Sequence, residues 1–407
     1  MRATSLFRRL IGVTSLFVTS VSFEPVGLVL QVRPRWRKPR CGKCCGPAPG
    51  YDHARPRRWR SLNLGVLKVW LEYRPRRVSC ERCGRTRVEQ VPWADHGSSF
   101  TRDFEELVAY LAQVTDKTTV TKLMGIAWTT VGNIVHRVVS TRLDPSRLDG
   151  LRRIGVDEFS YRKRHNYLTV VVDHDSGRVV WAAPGRSSET LAAFFGQLGP
   201  ARLEELECVT IDMCQAYEKA IREHAPNAEI VFDRFHVQQL ATKALDEVRR
   251  EQLRTIRGTP EGRELFHSRF ALLKNPWNLR PAERRKLREV ERANAPLWRA
   301  YLLKEELARA LDYRQLGRAE PALRQWLAWA SRSRLKPFVR VARTIRKHFT
   351  GVLAYFQERL TNGVVEGINN HLRVIARRAF GFQCPQALIS MLFLCRGGIE
   401  LKPPLPR

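Results

Sequence analysis

Arg153-Ile-Gly-Val-Asp-Glu-Phe-Ser160 and Val209-Thr-Ile-Asp-Met213 each carry a short apolar run into an aspartate. Such a run, bounded by polar residues, reads as a buried strand. A carboxylate where a buried strand ends is held rigidly beside a solvent-accessible cleft, as a metal ligand must be. Asp157 and Asp212 are therefore candidate ligands. A third acid, Glu366, lies in Thr361-Asn-Gly-Val-Val-Glu-Gly-Ile-Asn-Asn370, which reads as a helix capped by Asn362. Asn369, Asn370 and Arg373 follow it at helical spacing on the same face. Two aspartates and a helical glutamate suit a pair of Mg²⁺ or Mn²⁺ ions in phosphoryl transfer.

Working outward, residues 154–161, 167–173 and 178–183 alternate with period two, with a turn at Asp175-Ser-Gly177. A helix over 187–198, a strand over 207–212, a helix over 215–224 and a strand over 229–232 follow. Three sequential strands and then alternating helices and strands predict an α/β, ribonuclease-H-like mixed sheet. Its first and fourth strands would lie side by side, bringing Asp157 and Asp212 together. Glu158 points to the other face of its strand and reads as a structural or surface acid. Asp233 and His236, just beyond the fifth strand, support a metal ligand or contact DNA, unless Asp233 only caps the next helix. Residues 241–355 read as a helical insertion, punctuated by Pro260, Pro276, Pro281 and Pro296. The core thus comprises 151–240 and 356–400. Trp277, Trp298, Trp326 and Trp329 are expected to pack the insertion, stacking on extruded bases being the alternative. Ser331 to Thr350 carries seven Lys and Arg and no acid, a pattern suited to phosphate contact.

Toward the amino terminus, residues 1–95 read as strands and a cysteine module. Cys41/Cys44 and Cys80/Cys83 are two Cys-x-x-Cys pairs, spacing that favours one tetrahedral Zn²⁺ over disulfides. Cys45 offers a shifted register for the second ligand. His53 reads as a surface residue, and Leu62 to Tyr73 as strand-like. Residues 5–21 imitate a secretory signal, but the stretch runs on into alternating Val29-Leu-Gln-Val-Arg33, and no apolar run reaches membrane-spanning length. Residues 98–145 form three helices. In the second and third, Val120, Met124, Ile126, Val131 and Ile134 are apolar and Gly125 marks the turn, the pattern of a helix-turn-helix. Thr129, Thr130, Asn133 and Arg137 would face DNA. The 407 residues carry 71 Lys and Arg against 40 Asp and Glu, a net charge of +31. That surplus favours polyanions as partners, while 43% hydrophobic residues exclude a disordered basic tail.

These motifs together resemble the bacterial insertion-sequence transposases of the ISL-three family. The cysteine pairs, the helix-turn-helix, Gly155-Val-Asp-Glu158, Ile211-Asp-Met213, Phe232-Asp-Arg-Phe-His236 and Asn362-Gly-x-x-Glu-Gly-x-Asn-Asn370 carry the likeness, in order, over nearly the whole chain. The resemblance implies a DDE recombinase whose triad is Asp157, Asp212 and Glu366, with two Mg²⁺ per active site. It implies a zinc module and helix-turn-helix that bind terminal inverted repeats, and a target DNA; bringing two ends together suggests a homodimer on DNA, and the paired cysteine spacing suggests the cytoplasm, at the nucleoid. The Cys44-Cys45 doublet departs from the family's more usual Cys-Gly. A catalytically inactive DNA-binding regulator derived from such an enzyme is the alternative.

Overall fold

The computed structural model describes residues 3–13, 15–162, 166–358, 360, 363–378, 382 and 384–403, with the side chains of Arg162, Glu261, Glu264, Val364, Val365, Glu366, Asn369 and Ala376 outside that description. The chain divides into two compact units, one built of residues 1–143 and 393–407, the other of residues 144–392.

The first unit opens with α1 (Ala3–Leu10), β1 (Leu16–Glu24) and β2 (Gly27–Pro34). After a cysteine-bearing loop come β3 (Gly50–His53), β4 (Arg57–Leu64), β5 (Leu67–Tyr73), β6 (Arg76–Cys80) and β7 (Arg85–Val88). One sheet has the order β1-β2-β5-β4, with β2 and β5 parallel; a second, antiparallel, has the order β3-β6-β7. Leu62 to Tyr73 is thus the two arms of a hairpin and not a single strand. Gly65 breaks it, taking φ +58°, a left-handed conformation that glycine adopts at little cost. Leu16, Leu28, Leu30, Trp59, Leu71 and Trp93 fill the core of the larger sheet.

Three helices complete this unit: α2 (Arg102–Val114), α3 (Lys117–Met124) and α4 (Trp128–Arg142). Asp116 caps α3, its carboxylate accepting the Thr119 N–H at 3.0 Å, and Gly125 ends that helix at φ +61°. Val120, Met124, Val131 and Ile134 are buried as the apolar spacing requires, with Ile126 half-buried. The Lys117 ammonium sits 4.1 Å from the Trp128 ring centroid, tying α3 to the start of α4.

The second unit is built on β8 (Arg153–Arg162), β9 (Asn166–Asp173), β10 (Val179–Pro184), β11 (Cys208–Ile211) and β12 (Glu229–Phe232). Their order is β10-β9-β8-β11-β12, antiparallel across β10-β9-β8 and parallel across β8-β11-β12. The connections are α5 (Ser188–Leu198), the short α6 (Pro200–Glu204) and α7 (Gln215–His224). This is the ribonuclease-H-like order, and its first and fourth strands are neighbours. Ile154, Val156 and Val171 alternate onto one face, where Leu191, Phe194, Phe195 and Tyr217 of α5 and α7 join them in a single core.

From α8 (Arg234–Thr255) the chain is helical: α9 (Pro260–Leu265), α10 (Arg269–Leu273), α11 (Pro281–Ala293), α12 (Ala295–Asp312), α13 (Leu316–Arg332), α14 (Lys336–Lys347) and α15 (Phe349–Glu358). Helix α15 returns the chain to the sheet, packing on β12, and α16 (Gly363–Arg378) packs on β8; α17 (Pro385–Arg396) follows. Trp326 is buried, and Trp298 and Trp329 pack against the core. Trp277 departs from the expected packing: it stands 69% exposed on a single turn, Pro276–Asn278, that has no buried residue. No helix among the described residues is long and apolar enough to cross a membrane.

Candidate active site

The parallel ladder between β8 and β11 decides the geometry. Cys208 pairs with Arg153, Val209 with Ile154 and Thr210 with Gly155. The ladder stops there and Asp212 follows the last residue of β11; continuing the same register would set it opposite Asp157, and its charge acts on Asp157. Both are half-buried. Asp157 accepts the Glu158 N–H at 2.7 Å, and Asp212 accepts the Cys214 N–H at 3.2 Å, bonds that hold each carboxylate in place.

Burial, the largest influence, pushes the Asp157 carboxyl up to about 6; the Glu158 N–H and the charge of His236 oppose it, and Asp212 adds repulsion. Asp212 is raised as well, again by burial, against the opposing charges of His236, Arg186 and Lys243. Two adjacent carboxylates whose ionised forms are disfavoured suit a divalent cation, which supplies the missing positive charge.

Asp233 is buried and caps α8, its carboxylate accepting the Phe235 N–H at 3.2 Å, while its own N–H donates to Ile211. Of the two uses open to Asp233, this geometry supplies the cap. His236, in the first turn of the same helix, lies within electrostatic reach of Asp157 and Asp212. Glu158 is paired in register with Thr169 and forms an ion pair with Arg186 at 3.6 Å. It has the structural partner expected of it, yet burial and then the charge of Asp212 raise its pKa, so it is no remote surface acid.

Arg186 and Lys243 are additions that sequence reasoning does not reach. Lys243 carries a faint signal, lying seven residues after His236 and hence on its helical face. Arg186 has none; it follows β10 and stacks its guanidinium 4.3 Å from the Tyr167 ring centroid.

Glu366 lies on α16, the helix packed on β8, with its side chain outside the described residues; the same holds for Asn369. Thr361 and the expected cap Asn362 also lie outside them. Asn370 and Arg373 are exposed on α16 and bonded to each other, Arg373 Nη1 donating to Asn370 Oδ1 at 2.7 Å.

In the first unit the sulfurs of Cys41, Cys44, Cys80 and Cys83 all lie within 4.8 Å of one another. Cys41 and Cys83 are 3.9 Å apart, Cys44 and Cys80 3.5 Å. Zn–S bonds of about 2.3 Å in a tetrahedron set sulfurs roughly 3.8 Å apart, so the donors fit zinc. Against the burial that raises it, the Cys44 and Lys43 backbone N–H groups bring the Cys41 thiol down to about 7, easing the thiolate form a metal requires. Cys45 is exposed at φ +57° and outside the cluster, which resolves the register in favour of Cys44.

On the helix-turn-helix, Thr129 and Asn133 are exposed and Thr130 is half-exposed near the start of α4. Arg137 departs from this group. Its Nε and Nη2 donate to Glu105 Oε1 of α2 at 3.0 and 2.6 Å, and Glu105 also accepts the Ser98 hydroxyl at 2.6 Å. A half-buried guanidinium so committed holds helices together.

Comparison with known proteins follows the same division of the chain. Residues 154–392 match the transposase model of the ISL3 family, 89–139 the helix-turn-helix domain of transposase family ISL3, and 25–83 the zinc-finger of transposases IS204/IS1001/IS1096/IS1165. The chain is 39% identical to the transposase for insertion sequence element IS1557 of Mycobacterium tuberculosis (strains CDC 1551 / Oshkosh and ATCC 25618 / H37Rv), over 100% of this chain and 98% of the relative. It is 33% identical to the transposase for insertion sequence element IS1001 of Bordetella parapertussis, over 88% of each. The four-cysteine cluster is thus a structural zinc site, the helix-turn-helix a DNA-binding element, and the chain belongs to the ISL3 family of insertion-sequence transposases.

Proposed function

We propose that the chain cuts DNA at the terminal inverted repeats of an insertion sequence and joins the freed ends to a target. Asp157, Asp212 and Glu366 form its acidic triad. What supports this reading is Asp157 in β8 and Asp212 just past the end of its parallel neighbour β11, with burial opposing the charge of both.

Asp157, Asp212 and Glu366 would hold Mg²⁺, which would supply Lewis-acid activation of an attacking oxygen and charge neutralisation at the leaving one. The protein's part is positioning. The Glu158 and Cys214 N–H groups hold the two aspartates toward a common point. Arg186 and Lys243, within electrostatic reach of Asp212, contact phosphates that flank the scissile bond, and His236 balances the carboxylates. Asn369, Asn370 and Arg373 extend the DNA-facing surface along α16. Thr129, Thr130 and Asn133 read the repeat from the helix-turn-helix, and Arg137 positions α4 through Glu105. Two ends must meet in one reaction, so the DNA-bound form is a homodimer.

A supercoiled plasmid carrying the element's repeats, incubated with and without Mg²⁺, tests the proposal. Metal-dependent nicking at the repeat ends followed by joined products is the expected result. Binding with no nicking would make the chain an inactive regulator, and nicking with no joining a nuclease.

A further inference from the structure

The helical insertion holds a cavity of about 490 Å³ between the end of α8, the loop after it and α9. Its lining includes Arg254, Arg257, Arg263 and His267 together with the apolar Leu253 and Phe266. The three arginines are exposed, and none has a carboxylate partner among the described residues. Phe266 is 66% exposed, its ring braced edge-on by His267 with centroids 5.0 Å apart. Gly262 has no room for a side chain, since a Cβ there would come within 2.2 Å of the Ile256 carbonyl oxygen. Beyond the cavity, Phe270 and Trp277 are also about two-thirds exposed.

Exposed aromatic rings beside exposed guanidiniums are a poor solution for a merely solvated helix, because the rings give up burial. They suit a ligand with a flat apolar face and negative charge together, which describes a nucleotide. In a duplex the base faces are covered by their neighbours, so the ring of Phe266 can be used only by a base that is unpaired.

We propose that this cavity binds an unpaired nucleotide of a DNA strand, its phosphates on Arg254, Arg257 and Arg263 and its base on the exposed ring of Phe266. The site lies in the insertion, apart in sequence from the acidic triad. It rests on the reading that the chain handles opened DNA ends.

Fluorescence anisotropy with a labelled oligothymidylate and a blunt duplex of the same length, each with full-length protein, tests it. Phe266→Ala is expected to weaken single-strand binding by about 5- to 100-fold, the range for losing one base–aromatic stack, and to leave duplex binding within about twofold. Phe266→Trp is expected to restore binding and Phe266→Leu to fail, since the leucine side chain keeps apolar area without a π-face. Changing all three arginines to Gln is expected to flatten the salt dependence of single-strand binding by roughly two in slope. Equal losses on both DNA forms, or no loss on either, would overturn the site. So would oligothymidylate displacement by micromolar nucleoside triphosphate, which would mark a free nucleotide as occupant, or a change in sedimentation of Phe266→Ala alone, which would mark a protein interface. Asp157→Asn is expected to bind oligothymidylate as the unaltered protein does, so failure of the triad and failure of this site give separate results.

Discussion

At the scale of single residues, the proposed function asks most of Asp157. A carboxyl pushed up to about 6 retains its proton above the ordinary carboxylate range, and an unfolded chain has no such effect. The folded state therefore binds more protons than the unfolded between about pH 4 and 6, and metal-free stability from this group falls as pH rises through that window. Asparagine at 157 removes the term. In chelator, calorimetry of Asp157→Asn against the unaltered protein should show equal melting temperatures near pH 4. Above pH 6 the variant should gain roughly 2–6 °C, equivalent to about 1–2 kcal/mol after discounting for solvent. The same substitution should abolish metal-dependent cutting of the plasmid while leaving repeat binding within about twofold, so a variant that still cuts would remove Asp157 from the triad. Stabilisation with loss of activity is the signature of a residue kept for chemistry.

At the scale of elements, the helix-turn-helix separates a residue that holds, Arg137, from the exposed residues proposed to read DNA. Glu105 is buried, and Arg137 is its charged partner. Arg137→Ala should cost about 2–3 kcal/mol in thermal unfolding, below the roughly 3–5 of a fully buried pair because the guanidinium keeps some water. Asn133→Ala should leave the melting temperature unchanged and weaken repeat binding at least tenfold; the reverse pattern would exchange the two roles. The apolar spacing of α3 and α4 was legible in advance, as were the five strands of the second unit, because burial on one face imposes a period on the sequence. Helical period could not show that Arg137 turns inward, since half-buried long side chains obey no pattern. Nor could it show Arg186, which reaches Asp212 through the fold from a loop, or the exposure of Trp277, whose surroundings are set by non-local packing. The nearness of Asp157 and Asp212 is legible only once the first and fourth strands are read as neighbours in one sheet.

At the scale of the whole molecule, the proposed function divides charge and specificity between different parts of the chain. A net charge of +31 binds any DNA, and counterion release makes that affinity fall steeply with salt whatever the sequence. In the proposed function, recognition of a particular repeat needs the first unit to be folded, and its smaller sheet has little core beyond Val78, Ala48 and the cysteines themselves. A module with so few buried apolar groups depends on its metal for stability. Cys80→Ser should lower the zinc content, measured by atomic emission, from one ion per chain to a small fraction. It should also reduce the preference for repeat over random duplex toward unity. Non-specific affinity at low salt should persist within about threefold, since most of the positive charge is untouched. Cooperative melting of the second unit should also remain, because its sheet and helices share a core that includes no zinc ligand. Undiminished zinc in the Cys80 variant would remove the four-thiolate site. Loss of all DNA binding would show instead that the zinc module, and not the distributed charge, supplies the affinity.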